Sequence, residues 1–112
     1  MTTYYISLPD PAKARGSDPE LAFTAHGADG FAAQLQDALS STTLFDKWKA
    51  KQSDPDAVPE QWGVTDPAAS VTGTQDDLQI KLEARTTIKG EILKERLRLL
   101  AGPHWTLHDV RS

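Results

Sequence analysis

The chain has 112 residues, which is the size of one ordinary domain, and we expect a single α+β domain over residues 1–112. It contains no cysteine, which excludes a disulfide framework, a thiolate zinc site and a cysteine nucleophile. The formal net charge is −4, from 16 acidic and 12 basic residues, and this acidic balance argues against a nucleic acid partner.

The amino-terminal sequence and the length of the apolar runs predict where the protein works. The first residues, MTTYYISLPDP, have neither a basic flank nor an apolar run of signal-peptide length. No stretch is apolar over the length that a membrane span requires. We therefore predict a cytoplasmic protein that has no membrane association.

Two strands are predicted near the amino terminus. Residues 4–8 are aromatic and β-branched and stop at Pro9, which cannot continue a ladder of backbone hydrogen bonds. A proline-rich loop follows over residues 9–20. Alternating apolar residues then predict a second strand, with Leu21, Phe23 and Ala25 on one face.

A change to helical spacing follows the glycine-containing turn at residues 27–30. Asp29 is the predicted N-cap, because its carboxylate can accept from free amides of a first helical turn. Residues 40–43, a run of serine and threonine, should end or bend this helix, and a second short helix is predicted to about Gln52. The buried stripe of the first helix is Phe31, Leu35, Ala38 and Leu39.

The last third of the chain predicts a hairpin, a helix and a closing strand. Residues 70–74 and 78–85 are the two strands of the hairpin, with the turn at residues 75–77. Thr87 is the predicted cap of the helix, and Gly102 with Pro103 should end it before a strand over residues 104–110. The alternation of the second hairpin strand predicts that its core-facing residues are Leu78, Ile80, Leu82 and Ala84. The apolar stripe of the helix is Ile88, Ile92, Leu93, Leu97 and Leu100. The intervening charged residues, Arg96 among them, are predicted on the solvent side.

The resulting element order is β-β-α-(α)-β-β-α-β. Each amphipathic strand has one apolar side, so we predict a mostly antiparallel sheet of about five strands with two main helices on one face. The second half, a hairpin followed by a helix and a strand, makes the predicted fold partly ferredoxin-like.

Residues 53–67 form an acidic, proline-rich loop that is the first candidate interaction site. The loop holds three prolines and four acidic residues, which oppose a continuous helix or a central strand. Long irregular connections in compact domains tend to be functional or mobile. Val58, Trp62 and Val64 are its apolar residues, and an aromatic side chain in such a loop is a plausible interface anchor.

The second predicted helix supplies the other candidate partner-binding residues. Phe45 and Trp48 form a compact apolar patch flanked by lysines, and a small sheet need not cover it completely. The alternative for Trp48 and Trp62 is packing against the core.

The turn at residues 26–30 carries an alternative function. His26, Gly27 and Gly30 precede a predicted helix, whose amino terminus attracts anions. Such a turn would suit a small-anion-binding, ligand-binding or enzymatic domain. Asp29 opposes this interpretation, because its carboxylate occupies the place that the anion would take.

No residue pattern in the chain predicts a catalytic group, a metal site or a cofactor. His104 and His108 lie four residues apart on a predicted strand, too far apart to chelate one ion. The carboxylates lie in exposed loops or turns that do not promise a sheltered general acid. We therefore predict a non-enzymatic cytosolic protein-binding module, an adaptor, inhibitor or subunit, whose partner is another protein or a second copy of this chain.

Overall fold

The computed structural model describes residues 1–112 and contains three helices and one four-stranded sheet. No helix has both the length and the apolar character needed to cross a membrane. Short 3₁₀ turns occupy Pro11–Lys13, Pro55–Ala57 and Glu60–Gly63. The strands are β1 (Thr2–Leu8), β2 (Ser70–Asp76), β3 (Gln79–Thr86) and β4 (Thr106–Arg111), and the helices are α1 (Ala28–Ser40), α2 (Thr43–Ala50) and α3 (Gly90–Ala101).

The sheet is antiparallel throughout, and its strand order is β2-β3-β1-β4. β1 and β3 are therefore the central strands, and their register places Tyr4 opposite Ala84 and Ile6 opposite Leu82. The α+β class and the antiparallel sheet agree with the sequence prediction. The predicted count of about five strands is wrong, because the segment expected to form the second strand is irregular.

The segment that contains Leu21 and Phe23 contributes to the core without forming a strand. Both side chains are buried. The Phe23 amide donates to the carbonyl of Leu100 near the end of α3, and the amides of Thr24 and Ala25 donate to the side-chain oxygen of Gln34 on α1. A helix end and one glutamine side chain thus satisfy donors that a neighbouring strand would otherwise satisfy.

The helical region after residue 27 matches the predicted stripe, with a corrected start. Phe31, Leu35 and Leu39 are buried on α1, as the spacing predicts. Asp29 is not the N-cap: Gly27 occupies that position, and Asp29 lies in the first turn. The helix ends at Ser40, and α2 begins at Thr43, so the serine and threonine run does separate two helices.

One face of the sheet and the three helices enclose a single cluster of 22 buried apolar residues. On β3, the alternation predicts this face well, since Ile80, Leu82 and Ala84 are buried. Leu78 is the exception: it is 81% exposed, because the hairpin turn occupies residues 77–78 and not the predicted 75–77. Asp77 adopts a positive φ of 57° in that turn.

α3 begins later than predicted and ends where predicted. Thr87 is not its cap: it lies two residues before the N-cap position, and its amide donates to the buried carboxylate of Asp66. Lys89 occupies the N-cap position, and Ile88 is buried just before the helix. Gly102 ends the helix with a φ of 64°, a conformation that favours glycine.

Candidate functional site

α2 and the 3₁₀ turn at Glu60–Gly63 bring three of the predicted partner-binding residues together. Phe45, Trp48 and Trp62 are half-buried and surround a small cleft, which we call the aromatic cleft. The rings of Phe45 and Trp48 lie 5.9 Å apart at 39°. The cleft has a volume of about 20 Å³, enough for roughly one water molecule and too little for a ligand.

The backbone of the loop lies directly against one wall of the aromatic cleft. A Cβ atom at Gly63 would come within 2.6 Å of the Phe45 ring, so the backbone of the loop touches that ring directly. Trp48 packs against the core cluster. Phe45 and Trp48 therefore bury much of their apolar surface inside the protein.

Hydrogen bonds of Arg96 connect this loop to α1 and α3. The residue lies on α3 and is 4% exposed. Its guanidinium donates to the carbonyl of Ala38 on α1 at 3.0 Å, to that of Trp62 at 3.0 Å, and to that of Val64. Burial lowers the pKa of Arg96 from its ordinary value, although a guanidinium remains protonated in proteins.

The charge of Arg96 is balanced by backbone carbonyl oxygens. Its hydrogen bonds go to three carbonyls and to no carboxylate. Ala38 lies in the last turn of α1, where the helix dipole places partial negative charge. These contacts hold the backbone at Trp62 and Val64 in one position.

An open groove lies beside this anchored backbone, and we call it the Trp62–Val64 groove. Trp62 and Val64 form one wall, and the residues leading into α3 form the other. The groove encloses about 560 Å³, and Val64 is 42% exposed. Its remaining lining residues are Gln61, Thr87, Ile88, Lys89, Glu91 and Ile92.

The structure therefore divides the five predicted partner-binding residues into groups. Phe45 and Trp48 line only the aromatic cleft, and Trp62 lines both the cleft and the groove. Val64 lines only the groove. Val58 is half-buried and lines neither.

The turn at residues 26–30 is the alternative candidate site, for anion binding, and close packing explains one of its two glycines. A Cβ atom at Gly30 would lie 2.9 Å from the Cβ of Ala25, so glycine allows close packing there. Gly27 has extended backbone and open space around it, and His26 is exposed. Asp29 lies in the first turn of α1, where its carboxylate complements the helix dipole.

No group of three or more potential metal-ligating side chains occurs in the structure. His104 precedes β4, whereas His108 lies within it. The Nε2 atom of His108 is 2.6 Å from the hydroxyl oxygen of the buried Ser7 on β1.

Comparison of the chain with protein-family models, with curated proteins and with solved structures found no match.

Sequence reasoning missed two polar residues that shape this region, Arg96 and Asp66. Arg96 was expected on the solvent side of α3, but it is buried. Its position three residues after Leu93 and four before Leu100 places it within the apolar stripe, and this spacing was a usable signal. The role of Asp66 had no comparable signal, because its partners Thr86 and Thr87 are distant in sequence.

Proposed function

We propose that this chain is a non-enzymatic, cytosolic protein-binding module that acts as an adaptor, inhibitor or subunit. In this proposal the Trp62–Val64 groove receives an apolar side chain of another protein. The proposal also includes Phe45 and Trp48, which line the aromatic cleft beside Trp62, and Val58, which lies in the same loop as Trp62 and Val64.

The main support for the proposal is that a buried arginine holds in place the backbone of the exposed apolar wall of the groove. Val64 exposes 42% of its surface beside Trp62, while Arg96 holds the carbonyls of both residues. A surface that is already ordered loses less conformational entropy when a partner binds. Aromatic residues at the centre of an interface contribute strongly to affinity.

The alternative of an anion-binding or enzymatic turn at His26, Gly27 and Gly30 has weaker support. Packing against Ala25 accounts for Gly30, and Asp29 places a carboxylate in the first turn of the helix. If this turn binds phosphate, phosphate should raise the thermal stability of the protein, and His26→Ala should remove that gain.

The sequence predicts a ferredoxin-like arrangement for the second half of the chain only. We infer that the whole chain is ferredoxin-like. With α1 and α2 taken as one helical connection, the order is β-α-β-β-α-β, and the strand order β2-β3-β1-β4 supports this inference. A fold of this kind is compatible with many functions, so it does not select a partner.

The groove is tested by affinity capture with matched variants. Val64→Asp places a charge in the groove on an exposed side chain and should leave the fold intact. Leu78→Asp is the control, because Leu78 is also exposed but lies in the β2–β3 turn. Proteins that the unmodified chain captures from a cytosolic extract should be lost with Val64→Asp and retained with Leu78→Asp.

The same experiment separates two ways in which the proposal can fail. Equal capture by both variants would place any binding surface away from the groove. Absence of specific capture by the unmodified chain would count against a protein-binding function. Circular dichroism spectra that match across the three proteins would show that neither result comes from unfolding.

A further inference from the structure

The two edges of the sheet differ in how well the rest of the chain covers them. At the β2 edge, the amide of Val71 donates to the side-chain oxygen of Gln36 on α1 at 3.0 Å. The carbonyl of Ala28 approaches Gly73 so closely that a Cβ atom there would lie 2.3 Å from it. The Gln36 side chain therefore satisfies one outward backbone donor of β2, and α1 packs closely against the face of this strand at Gly73.

β4 is the opposite edge strand, and it has no strand beyond it. All of its residues except Leu107 are exposed, and Val110 is 48% exposed. The amide of Val110 donates at 2.8 Å to the carboxylate of Asp109, a local side-chain contact. The outer backbone groups of an edge strand are a template for pairing with another strand.

An irregularity in β4 gives this edge an unusual distribution of side chains. Leu107 pairs with Ile6 and Val110 pairs with Tyr4, with a register shift between them. Both β1 partners point into the core, so Leu107 and Val110 lie on the same, helix-covered side of the sheet although they are three residues apart. His108 contacts Ser7, and Asp109 pairs with Tyr5, which places both on the open side.

We propose that β4 pairs in antiparallel fashion with β4 of a second copy of this chain, forming a continuous eight-stranded sheet. The two-fold axis passes between His108 and Asp109 and is perpendicular to the sheet. In the register of full overlap, Leu107 faces Val110 of the second copy, His108 faces Asp109, and Thr106 faces Arg111. Each of these pairs occurs twice, as a two-fold interface requires.

The complementarity belongs to this register alone. It joins apolar residues on the helix side, and on the open side it places His108 next to Asp109, whose carboxylate also pairs with Arg111 of its own chain at 2.8 Å. A shift of one residue in one direction places Asp109 opposite Asp109, and a shift in the other direction places Leu107 opposite Asp109. Directly opposed like charges and mismatched faces destabilise a strand pair.

The expected dimer is weak. A single pair of edge strands buries less surface than the interface of a stable dimer, so we expect a dissociation constant on the order of 0.1 mM. The contact of Asp109 with Val110 must open for the new strand pair to form, which also limits the affinity.

Engineered cysteines test the register, because the natural chain contains none. Leu107→Cys mixed with Val110→Cys should give a disulfide-linked dimer under mild oxidation, because opposed residues of paired strands bring Cβ atoms within bonding range. Each variant alone should cross-link far less. The control mixture, Leu78→Cys with Val110→Cys, should behave like the single variants, since Leu78 lies in a turn away from β4.

Sedimentation of the unmodified chain over a range of concentrations provides the second readout. It should show monomer and dimer, whereas Val110→Lys should remain monomeric and Leu78→Lys should match the unmodified chain. A chain that stays monomeric to several times the expected dissociation constant overturns the proposal, as does equal cross-linking in the control mixture. Neither result bears on the Trp62–Val64 groove, because no residue of β4 lines it.

Discussion

At the scale of single residues, Arg96 connects α3 with the end of α1 and with the 53–67 loop. It occupies a position of α3 that the apolar stripe would assign to leucine, and it uses its charge to bind three backbone carbonyls. A buried cation is costly unless polar groups surround it. Here those groups come from the end of α1 and from the loop, so one side chain links three parts of the chain.

Replacing Arg96 should therefore destabilise the protein. Arg96→Met keeps much of the apolar stem but leaves the carbonyls of Ala38, Trp62 and Val64 without their donors. We expect the free energy of unfolding to fall by about 1–3 kcal/mol, the usual effect of leaving buried acceptors unsatisfied. Urea denaturation followed by tryptophan fluorescence measures this change.

Arg98→Met is the matched control on the same helix. Arg98 is exposed and pairs with Glu95 across one helical turn, a contact that contributes about 0.5 kcal/mol or less. Equal losses of stability in the two variants would mean that the buried carbonyl contacts of Arg96 contribute nothing beyond an ordinary surface pair.

At the scale of secondary structure, regular apolar spacing predicted β3 and α1 correctly but was misleading at residues 21–25. β3 and α1 have regular apolar spacing, and their buried faces agree with the prediction. The segment around Leu21 and Phe23 also alternates, but it folds as an irregular chain. Its amides bond to Gln34 and to the end of α3, and these partners become available only after the helices pack.

The close approach of α1 to β2 yields an element-scale prediction. Gly73→Ala would place a Cβ atom 2.3 Å from the carbonyl oxygen of Ala28, which is backbone and cannot rotate away. α1 would have to shift, and overpacking of this kind costs about 1–3 kcal/mol. The midpoint of thermal unfolding should fall accordingly.

Gly27→Ala is the control for this substitution. No atom lies within 4 Å of a Cβ atom at Gly27, and its φ of −119° suits any residue. The cost should be about 1 kcal/mol or less and should come only from the N-cap, where alanine is poorer than glycine. A Gly73→Ala protein as stable as the Gly27→Ala protein would show that α1 and β2 tolerate a wider spacing.

At the scale of the whole molecule, hydrogen bonds of Asp66 connect the end of the 53–67 loop with the end of β3. Its carboxylate accepts from the Thr87 amide, the Thr86 hydroxyl and the Ala68 amide, at 2.9, 2.9 and 3.0 Å. The Thr87 N–H is the main reason why the pKa of Asp66 lies below its ordinary value, with the Thr86 hydroxyl and the Ala68 N–H acting in the same direction. The folded protein thus prefers the charged form of this residue.

This preference makes stability depend on pH in the acid range. Because the pKa of Asp66 is lower in the folded state than in the unfolded state, its contribution is complete above about pH 4 and is lost as the pH falls through the folded pKa. The pKa values of Asp18 and Asp109 are also lowered, chiefly by the Glu20 N–H and by Arg111 respectively, so they contribute in the same direction.

Urea denaturation at several pH values, with Asp66→Asn beside the unmodified chain, tests the assignment. The unmodified chain should be more stable than Asp66→Asn at neutral pH, and the difference should shrink below about pH 4. Asp56→Asn, which changes an exposed acid in the same loop, should track the unmodified chain. A difference between the first two proteins that stays constant with pH would contradict a charged Asp66.

The sequence by itself determined the α+β class, the buried faces of β3 and α1, and the break between α1 and α2. These features depend on local periodicity and capping, which neighbouring residues carry. It also singled out two groups of candidate residues, namely Val58, Trp62 and Val64 in the 53–67 loop and Phe45 and Trp48 on the second helix. Only the tertiary structure decided the strand order, the lack of a strand at Leu21 and Phe23, and the division of the candidate residues between a narrow cleft and a wider groove. The physical reason is that these outcomes depend on donors and acceptors far apart in sequence, such as Arg96 with Trp62 and Asp66 with Thr87, which meet only when the chain has folded.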